Sequence, residues 1–293
     1  MNRTDHASRR SRTGPTWAIA LKDMRALKAS LQLWLPMLIV PLMFGGILPA
    51  VFVLLVRFYV LPAGPEGLER MGDMGFVLEL MRTSAPPALQ AELATLPGDI
   101  ERVLYFGLTY LLAPMFLLIP VMAASIITAN SFAGEKERKT LEGLLYAPIS
   151  MNQLLIGKAL SAFLPALGLT LGSFVLYGTV VNTLAYPIYG RLIFPTWNWL
   201  PLMGLVVPAL TAVIVLATMI VSAKVKGFQE AYQLGGILVL PVLALTGGQA
   251  TGLLLLGSGA MLVMGAALAA IAWLLLRSAR RLAKRHQFLE KLG

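Results

Sequence analysis

Long apolar runs alternate with short charged segments along this chain. A helix that crosses a bilayer needs about 20 mostly apolar residues. Four runs reach that length: 31–56, 103–128, 154–181 and 199–222. A further stretch, 234–276, carries no charged residue and, at about 1.5 Å per residue, is long enough for two crossings. The pattern therefore predicts an all-α integral membrane protein, a bundle of six transmembrane helices.

The last two predicted spans are divided by the segment TGGQAT at 246–251, which indicates a turn. Residues 253–256 form either the start of the sixth span or a short re-entrant piece. Ser150 and Gln153 have the spacing of a capping box and predict the start of the third span. Prolines within the first two predicted spans indicate kinks: Pro36, Pro41, Pro49, Pro114 and Pro120.

Residues 16–30 predict a helix lying at the membrane interface. Five apolar residues share one face at helical spacing: Trp17, Ala20, Leu21, Met24 and Leu27. Lys22 and Arg25 lie away from that face, where they can meet anionic headgroups. Lys28 falls on the apolar face and weakens the pattern. The alternative is a plain helical lead-in to the first span.

The distribution of basic residues predicts the orientation of the bundle. Of the 24 Lys and Arg residues, 19 lie in 1–30, 131–158, 223–230 and 277–293. Basic residues concentrate in cytoplasmic loops, so we expect a multi-pass protein of the plasma (inner) membrane with both termini in the cytoplasm. The net charge of +10 is then a matter of topology, and no nucleic-acid partner is expected.

Three regions follow from this topology. Residues 1–30 form a cytoplasmic tail with the interfacial helix, 31–276 form the six-span domain, and 277–293 form a basic cytoplasmic tail. The one sizeable external segment, 61–102, has seven acidic and three basic residues and is expected to cap the bundle, with a short helix over 67–82. The first apolar run is too long for a signal peptide and is interpreted as a retained anchor.

The chain has few residues of the types that serve in catalysis or metal binding. It has no cysteine, and its two histidines, His6 and His286, lie in the predicted tails. No Asp, Glu, Lys or His is expected within the core of any span, where proton carriers and intramembrane proteases need such groups. No GxxxxGK[ST] loop occurs, so the chain has no phosphate-binding loop of its own. A membrane catalyst that uses serine alone stays open, although no Gly-x-Ser-x-Gly motif occurs.

Residues 135–146, between the second and third spans, predict a short amphipathic helix. Leu141, Leu144 and Leu145 lie on one side of it, and Glu135, Lys139 and Glu142 lie on the other. Glu135–Lys139 and Arg138–Glu142 are i,i+4 pairs in the better order, and Pro148 ends the helix. Such a helix can bind the bundle through its leucines and show charge to a cytoplasmic partner. The alternative is a solvated loop helix without a partner.

The run GEKERKTLEGLLYAPIS at 134–150, followed by LIGK at 155–158, resembles the membrane-domain subunits of type-2 ABC transporters. The segment SAKVKGFQEAYQ at 222–233 resembles the second cytoplasmic turn of that family, with Lys226, Phe228, Gln229 and Glu230 in it. The resemblance implies a coupling helix within the loop 131–152 that docks on a separate ATPase subunit. The residues that it assigns to ATPase coupling are Glu135, Glu137, Arg138, Lys139, Thr140, Leu141, Glu142, Leu145 and Pro148.

The resemblance also implies the function, the cofactors and the partners. The chain would be the permease subunit of an ABC exporter and would work with a second permease copy or a homologous permease. ATP and Mg²⁺ would bind to the partner ATPase, and this chain would bind no cofactor and perform no catalysis. Membrane lipids are the remaining expected partners. The glycine pairs 168/172 and 248/252 fit GxxxG and serve either packing within the bundle or a dimer face.

A second hypothesis from a different class remains open at this point. The chain could be a self-contained membrane protein, either a channel or a small intramembrane enzyme, without an ATPase partner. It would then need polar side chains that converge at depth in the membrane. The candidates are Thr109, Tyr110, Ser125, Asn130 and Asn182.

Overall fold

The computed structural model describes residues 14–28, 31–64, 66–67, 74–137, 149–225, 227–251 and 257–290. Six of its helices are long and apolar enough to cross a membrane, and we number them spans 1 to 6. They are Trp34–Ala63, Asp99–Glu137, Met151–Tyr189, Trp199–Lys224, Phe228–Gln249 and Ser258–Arg281. Across these described ranges the chain forms helices and no strand. The predicted all-α, six-span membrane protein is confirmed.

Outside the spans, the described helices are Pro15–Lys28, which we call the N-terminal helix, Met74–Thr83 and Pro87–Ala94. Span 5 consists of two helices, Phe228–Gly236 and Val239–Ala250, and the helix of span 6 continues to Glu290. Residues 253–256, the proposed re-entrant piece, lie outside the described residues.

Prolines locally widen three of the spans. Wider π-helical turns cover Met43–Ile47, Val56–Val60, Gly107–Leu111 and Leu202–Val206. Each ends two or three residues before a proline, at 49, 62, 114 and 208 respectively. A proline lacks the N–H that would bond to the carbonyl four residues earlier, and its ring clashes with that carbonyl. At these four places the helix departs from α geometry just before the proline, whereas span 3 stays α-helical through Pro165 and Pro187.

The helices extend beyond several of the predicted spans, and one predicted turn is wrong. The helix of span 2, predicted over 103–128, runs from Asp99 to Glu137, and its amphipathic first turns and its last turns pack against the rest of the protein. The turn predicted at 246–251 is helical as far as Ala250. Within a membrane, an open turn would leave backbone groups without hydrogen-bond partners, so a helix tolerates Gly247 and Gly248 at lower cost.

The segment between spans 1 and 2 packs into the main hydrophobic core. Leu80, Leu89 and Leu93 are buried there. The Arg102 guanidinium donates to the carbonyl oxygens of Leu93 and Leu96 at 3.2 and 3.1 Å and fixes the connection into span 2. The predicted helix over 67–82 corresponds to Met74–Thr83, and residues 68–73 are outside the described part of the chain.

Span 3 is an uninterrupted α-helix of 39 residues, and both of its ends are capped. Ser150 and Gln153 form the predicted capping box, with side-chain to backbone distances of 3.2 and 2.9 Å. Gly190 ends the helix in the left-handed conformation, at φ 65°. Near that end, the Asn182 side chain binds the backbone of Ile193 and Phe194. Span 3 is thereby attached to the loop that leads into span 4.

The N-terminal helix lies along the start of span 3. Gly157 allows the close approach, since a Cβ atom there would lie 2.8 Å from the Thr16 carbonyl oxygen and 2.9 Å from Ile19 Cβ. Of the predicted apolar face, Ala20 and Leu27 are buried and Trp17 is 40% exposed. Ile19 and the half-buried Asp23 also lie on the side that packs against the bundle. The interfacial position of this helix stays a prediction.

Candidate functional site

Lys158 is a buried charged residue two turns into span 3, at the end of the bundle where span 3 begins. Its side chain is 0% exposed. The Nζ atom lies 2.6 Å from Glu135 Oε2, 3.4 Å from Asp23 Oδ2 and 2.6 Å from the Ser131 carbonyl oxygen. We call these four residues, Asp23, Ser131, Glu135 and Lys158, the Lys158 cluster. It corrects the expectation that no ionisable group is buried within a span.

The carboxylates and hydrogen bonds of the cluster compensate the buried positive charge of Lys158. Removing an ammonium group from water costs several kcal/mol unless it is paired and hydrogen-bonded. Here two carboxylates, themselves only 10% and 18% exposed, supply the countercharge. The Ser131 hydroxyl donates to Asp23 at 3.0 Å, and Lys158 Nζ also lies over the Phe132 ring at 5.2 Å. At the surface, Lys22 lies 3.8 Å from Glu135.

The cluster joins three parts of the chain that are far apart in sequence. Asp23 belongs to the N-terminal helix, Lys158 to span 3, and Ser131 and Glu135 to the end of span 2. Asp23 and Lys158 are separated by 135 positions. The arrangement therefore fixes the last turns of span 2 against two other helices through charge.

The same last turns are also bound on their other side. The Lys136 ammonium donates to the carbonyl oxygens of Val225 and Ala223, at 2.9 and 3.4 Å, at the end of span 4. Glu137 Oε2 accepts a hydrogen bond from the Phe228 backbone N–H at 3.0 Å. Because the first N–H groups of a helix have no partner within it, this carboxylate caps span 5 from outside.

Residues 130–137 are therefore held by four other elements, which are the N-terminal helix and spans 3, 4 and 5. We call residues 130–137 the linking segment. Its side chains make ion pairs and hydrogen bonds to the backbone of neighbouring helices. Over the residues that the structure covers, no group of three or more His, Cys, Asp or Glu could hold a metal ion. The arrangement is suited to transmitting displacement between helices.

The structure tests only part of the predicted coupling region. Glu135 and Glu137 lie in the linking segment, and both carboxylates contact other elements of the bundle. Residues 138–148, with Arg138, Lys139, Thr140, Leu141, Glu142, Leu145 and Pro148, lie outside the described residues, so the predicted helix over 135–146 stays a prediction. The linking segment leads directly into them.

The predicted second cytoplasmic turn is shorter than expected. Phe228, Gln229 and Glu230 form the first turn of span 5 rather than a loop. Phe228 stacks on Tyr232 with the ring centroids 6.1 Å apart, and Gln229 and Glu230 are exposed. Lys226 lies outside the described part of the chain.

Asn130 and Asn182, two of the polar residues proposed for a self-contained channel or enzyme, lie at different ends of the bundle. Asn182 binds a loop near the end of span 3, whereas Asn130 opens the linking segment at the other end of the bundle. The Thr109 hydroxyl donates to the Tyr105 carbonyl oxygen in its own helix, at 2.7 Å. These contacts give the three residues structural roles in different places.

Sequence reasoning missed Asp23, Ser131 and Lys158 as functional residues. A signal for two of them was present. Asp23 is the one acidic residue between positions 6 and 65, and Lys158 is the one charged residue between 151 and 190. An isolated charge in an apolar segment indicates a buried partner of opposite sign. Ser131 gave no comparable signal.

Sequence comparison relates the chain to known transporter proteins. The sequence model of a family described as "ABC-2 family transporter protein" matches residues 17–290. The chain is also 32% identical over 113 residues to the ABC transporter permease protein NatB of Bacillus subtilis (strain 168). That alignment covers 38% of this chain and 28% of the relative.

Proposed function

The chain belongs to the ABC-2 family of transporter proteins, and on that premise we propose that it couples ATP hydrolysis by a separate ATPase subunit to export of a substrate. It is a membrane permease subunit of the ABC-transporter type. Binding and hydrolysis of ATP would displace the region 138–148, and the linking segment would carry that displacement to the spans.

The observation that carries this proposal is the attachment of the linking segment. Glu135 is bound to Lys158 at 2.6 Å, and Glu137 caps span 5 at 3.0 Å. A movement of the residues that follow Glu137 would therefore reach spans 3, 4 and 5 and the N-terminal helix together. A ligand can shift a conformational equilibrium only by its differential affinity for the two states, so this mechanical connection is the contribution of the permease.

The orientation follows from the same proposal. The linking segment and the basic ends of the chain would lie on the cytoplasmic side of the plasma membrane, as the distribution of Lys and Arg predicts. ATP and Mg²⁺ would bind to the ATPase subunit. A second permease, identical or homologous, would complete the path, and the mostly apolar spans favour an apolar or amphipathic substrate.

The first test is binding of the ATPase subunit. The chain is co-expressed with the soluble ATPase that we expect a neighbouring reading frame to encode, and the complex is isolated through a tag on the permease. We expect Glu142→Ala combined with Leu145→Arg to abolish co-purification, and Arg82→Ala, in the segment between spans 1 and 2, to leave it unchanged. Transport by the permease alone, without ATP, would contradict the proposal and favour a self-contained channel or enzyme.

The second test separates binding from coupling. Glu135→Gln keeps the size of the side chain and removes the charge that holds Lys158. We expect this variant to bind the ATPase normally while ATP hydrolysis no longer drives transport in proteoliposomes. Equal loss of ATPase binding and transport would place Glu135 in the docking surface rather than in the connection to the spans.

A further inference from the structure

A narrow apolar groove of about 280 Å³ lies on the outside of the bundle, open along one side. Spans 3, 4 and 6 form its walls, and apolar side chains line it from Leu155 to Phe163, from Ala212 to Met219 and at Leu276. One charged residue, Arg280, completes the lining. A groove that is apolar along its length and basic at one point favours an amphiphilic occupant.

The groove lies where span 6 packs more extensively on span 4 than on span 3. Ala272 and Ala279 are buried against Val213, Leu216 and Met219 and bring spans 4 and 6 together. Span 3 contacts span 6 less extensively, through Leu155 among others, and a groove remains between the three helices. From Leu155 to Phe163 the wall extends over eight helical rises, roughly 12 Å, which is comparable to the hydrocarbon thickness of one leaflet, about 15 Å.

Further basic side chains surround the mouth of the groove. Arg277, Arg280 and Arg281 line an adjoining depression together with Trp273 and Leu276. The Arg277 guanidinium lies 5.2 Å from the centre of the Trp273 ring, a cation–π contact that orients it at the membrane surface. Among the residues that line the groove and the depression, none is acidic. The mouth therefore offers positive charge to an anion.

We propose that this groove binds one anionic phospholipid of the adjoining leaflet. One acyl chain lies between spans 3, 4 and 6, and the phosphate is bound by Arg280 with Arg277 and Arg281 around it. Arginine pairs with phosphate through several N–H donors at once, and the groove supplies the apolar surface that a free phosphate does not need. The proposal does not depend on an ATPase partner.

The position of the groove gives the bound lipid a structural consequence. Leu155, Ile156 and Ala159 line the groove, and Lys158 lies on the same turns of span 3 but faces the Lys158 cluster. An acyl chain in the groove therefore supports the helix turn from the side opposite to its ion pairs. The lipid stabilises the position of Lys158 against the linking segment.

The test is lipid binding by the full-length protein in mild detergent, followed by native mass spectrometry. The probes are palmitoyl-oleoyl phosphatidylglycerol and the phosphatidylcholine with the same acyl chains. We expect phosphatidylglycerol to bind at least about fivefold more tightly, and Arg280→Gln to weaken its binding about fivefold, the effect of one basic side chain near a membrane surface. Arg280→Lys keeps the charge and should retain most of the binding.

The matched control is Arg57→Gln. Arg57 also lies in a span and over an aromatic ring, 5.3 Å from the centre of Phe58, but it does not line the groove. We expect no change in lipid binding for this variant. Equal binding of the two lipids, or equal loss in Arg57→Gln and Arg280→Gln, would overturn the proposal.

A second variant tests the apolar part of the site. Ala159→Phe fills the groove and leaves all three arginines in place, so we expect it to lose phosphatidylglycerol binding while eluting as the wild type does in size exclusion. Wild-type binding by this variant would show that the arginines hold a headgroup without the groove. Displacement of the lipid by an equal concentration of glycerol 1-phosphate would show a site for free anions. Either result would also overturn the proposal.

Discussion

Replacing Lys158 with methionine tests the physical role of the Lys158 cluster. Methionine keeps an unbranched apolar side chain of similar length but removes the charge that lies 2.6 Å from Glu135 and 3.4 Å from Asp23. At an effective dielectric constant of about 20, these two attractions amount to about 6 and about 5 kcal/mol before desolvation. Desolvation of the buried ions offsets much of this, and breaking a buried pair costs about 3–5 kcal/mol net. We expect a loss of that size.

The assay is unfolding of the purified protein by increasing SDS in mixed micelles, followed by tryptophan fluorescence. Trp199 is fully buried in the native bundle and reports its opening. The control is Lys224→Met, which removes an exposed lysine at the end of span 4 and should change the unfolding free energy by no more than about 0.5 kcal/mol. Comparison of the two variants separates loss of buried pairing from loss of any positive charge.

A triple variant tests whether the loss of stability comes from the two unpaired carboxylates. Asp23→Leu and Glu135→Met, added to Lys158→Met, remove the two carboxylates that the single change leaves without their cation. Because buried ion pairs can often be replaced by apolar residues of similar volume at little cost, we expect the triple variant to regain most of the lost stability. Lys158→Met with wild-type stability, or a triple variant less stable than the single one, would refute the electrostatic account.

Three further predictions follow from the packing and the hydrogen bonds. Gly157→Ala should destabilise the protein by about 1–3 kcal/mol in the same unfolding assay, because its new methyl group would overlap the N-terminal helix at 2.8 Å; Gly168→Ala, with open space around it, should not. Glu137→Ala should remove the cap of span 5 at a cost of about 1 kcal/mol, and amide hydrogen exchange in the first turn of that span should accelerate; unchanged exchange would contradict this. Tyr177→Phe removes a buried hydroxyl that donates to a span 2 carbonyl and should cost about 1 kcal/mol, whereas Tyr186→Phe, at an exposed tyrosine, should cost nothing measurable.

The number and approximate position of the spans could be predicted from the sequence because a membrane imposes one requirement on every crossing. Each span must be apolar over about 20 residues, and this is visible in a single chain. The capping box at Ser150 was equally predictable, since both of its partners lie within four residues. Local rules therefore predict local structure here.

The Lys158 cluster was not predictable in the same way. Its pairs join positions separated by 23 to 135 residues, and no pattern in one sequence specifies which distant charges meet. The N-terminal helix shows the same limit, because no local pattern indicated that its Ile19 side would pack against Gly157 of span 3. The turn expected at 246–251 failed for another reason: glycine pairs favour turns in water, but a membrane favours continued backbone pairing.

The unbroken helix of span 3 has a mechanical consequence. Its 39 residues extend about 58 Å, almost twice the hydrocarbon thickness of a bilayer, about 30 Å. Spans 1, 2 and 4 contain wider turns that can absorb bending, whereas span 3 stays α-helical even through Pro165. We therefore expect span 3 to tilt as a rigid body. A tilt at Lys158 would then also displace Asn182 and the loop bound to it. The elements bound to the two ends of span 3 are therefore expected to move together.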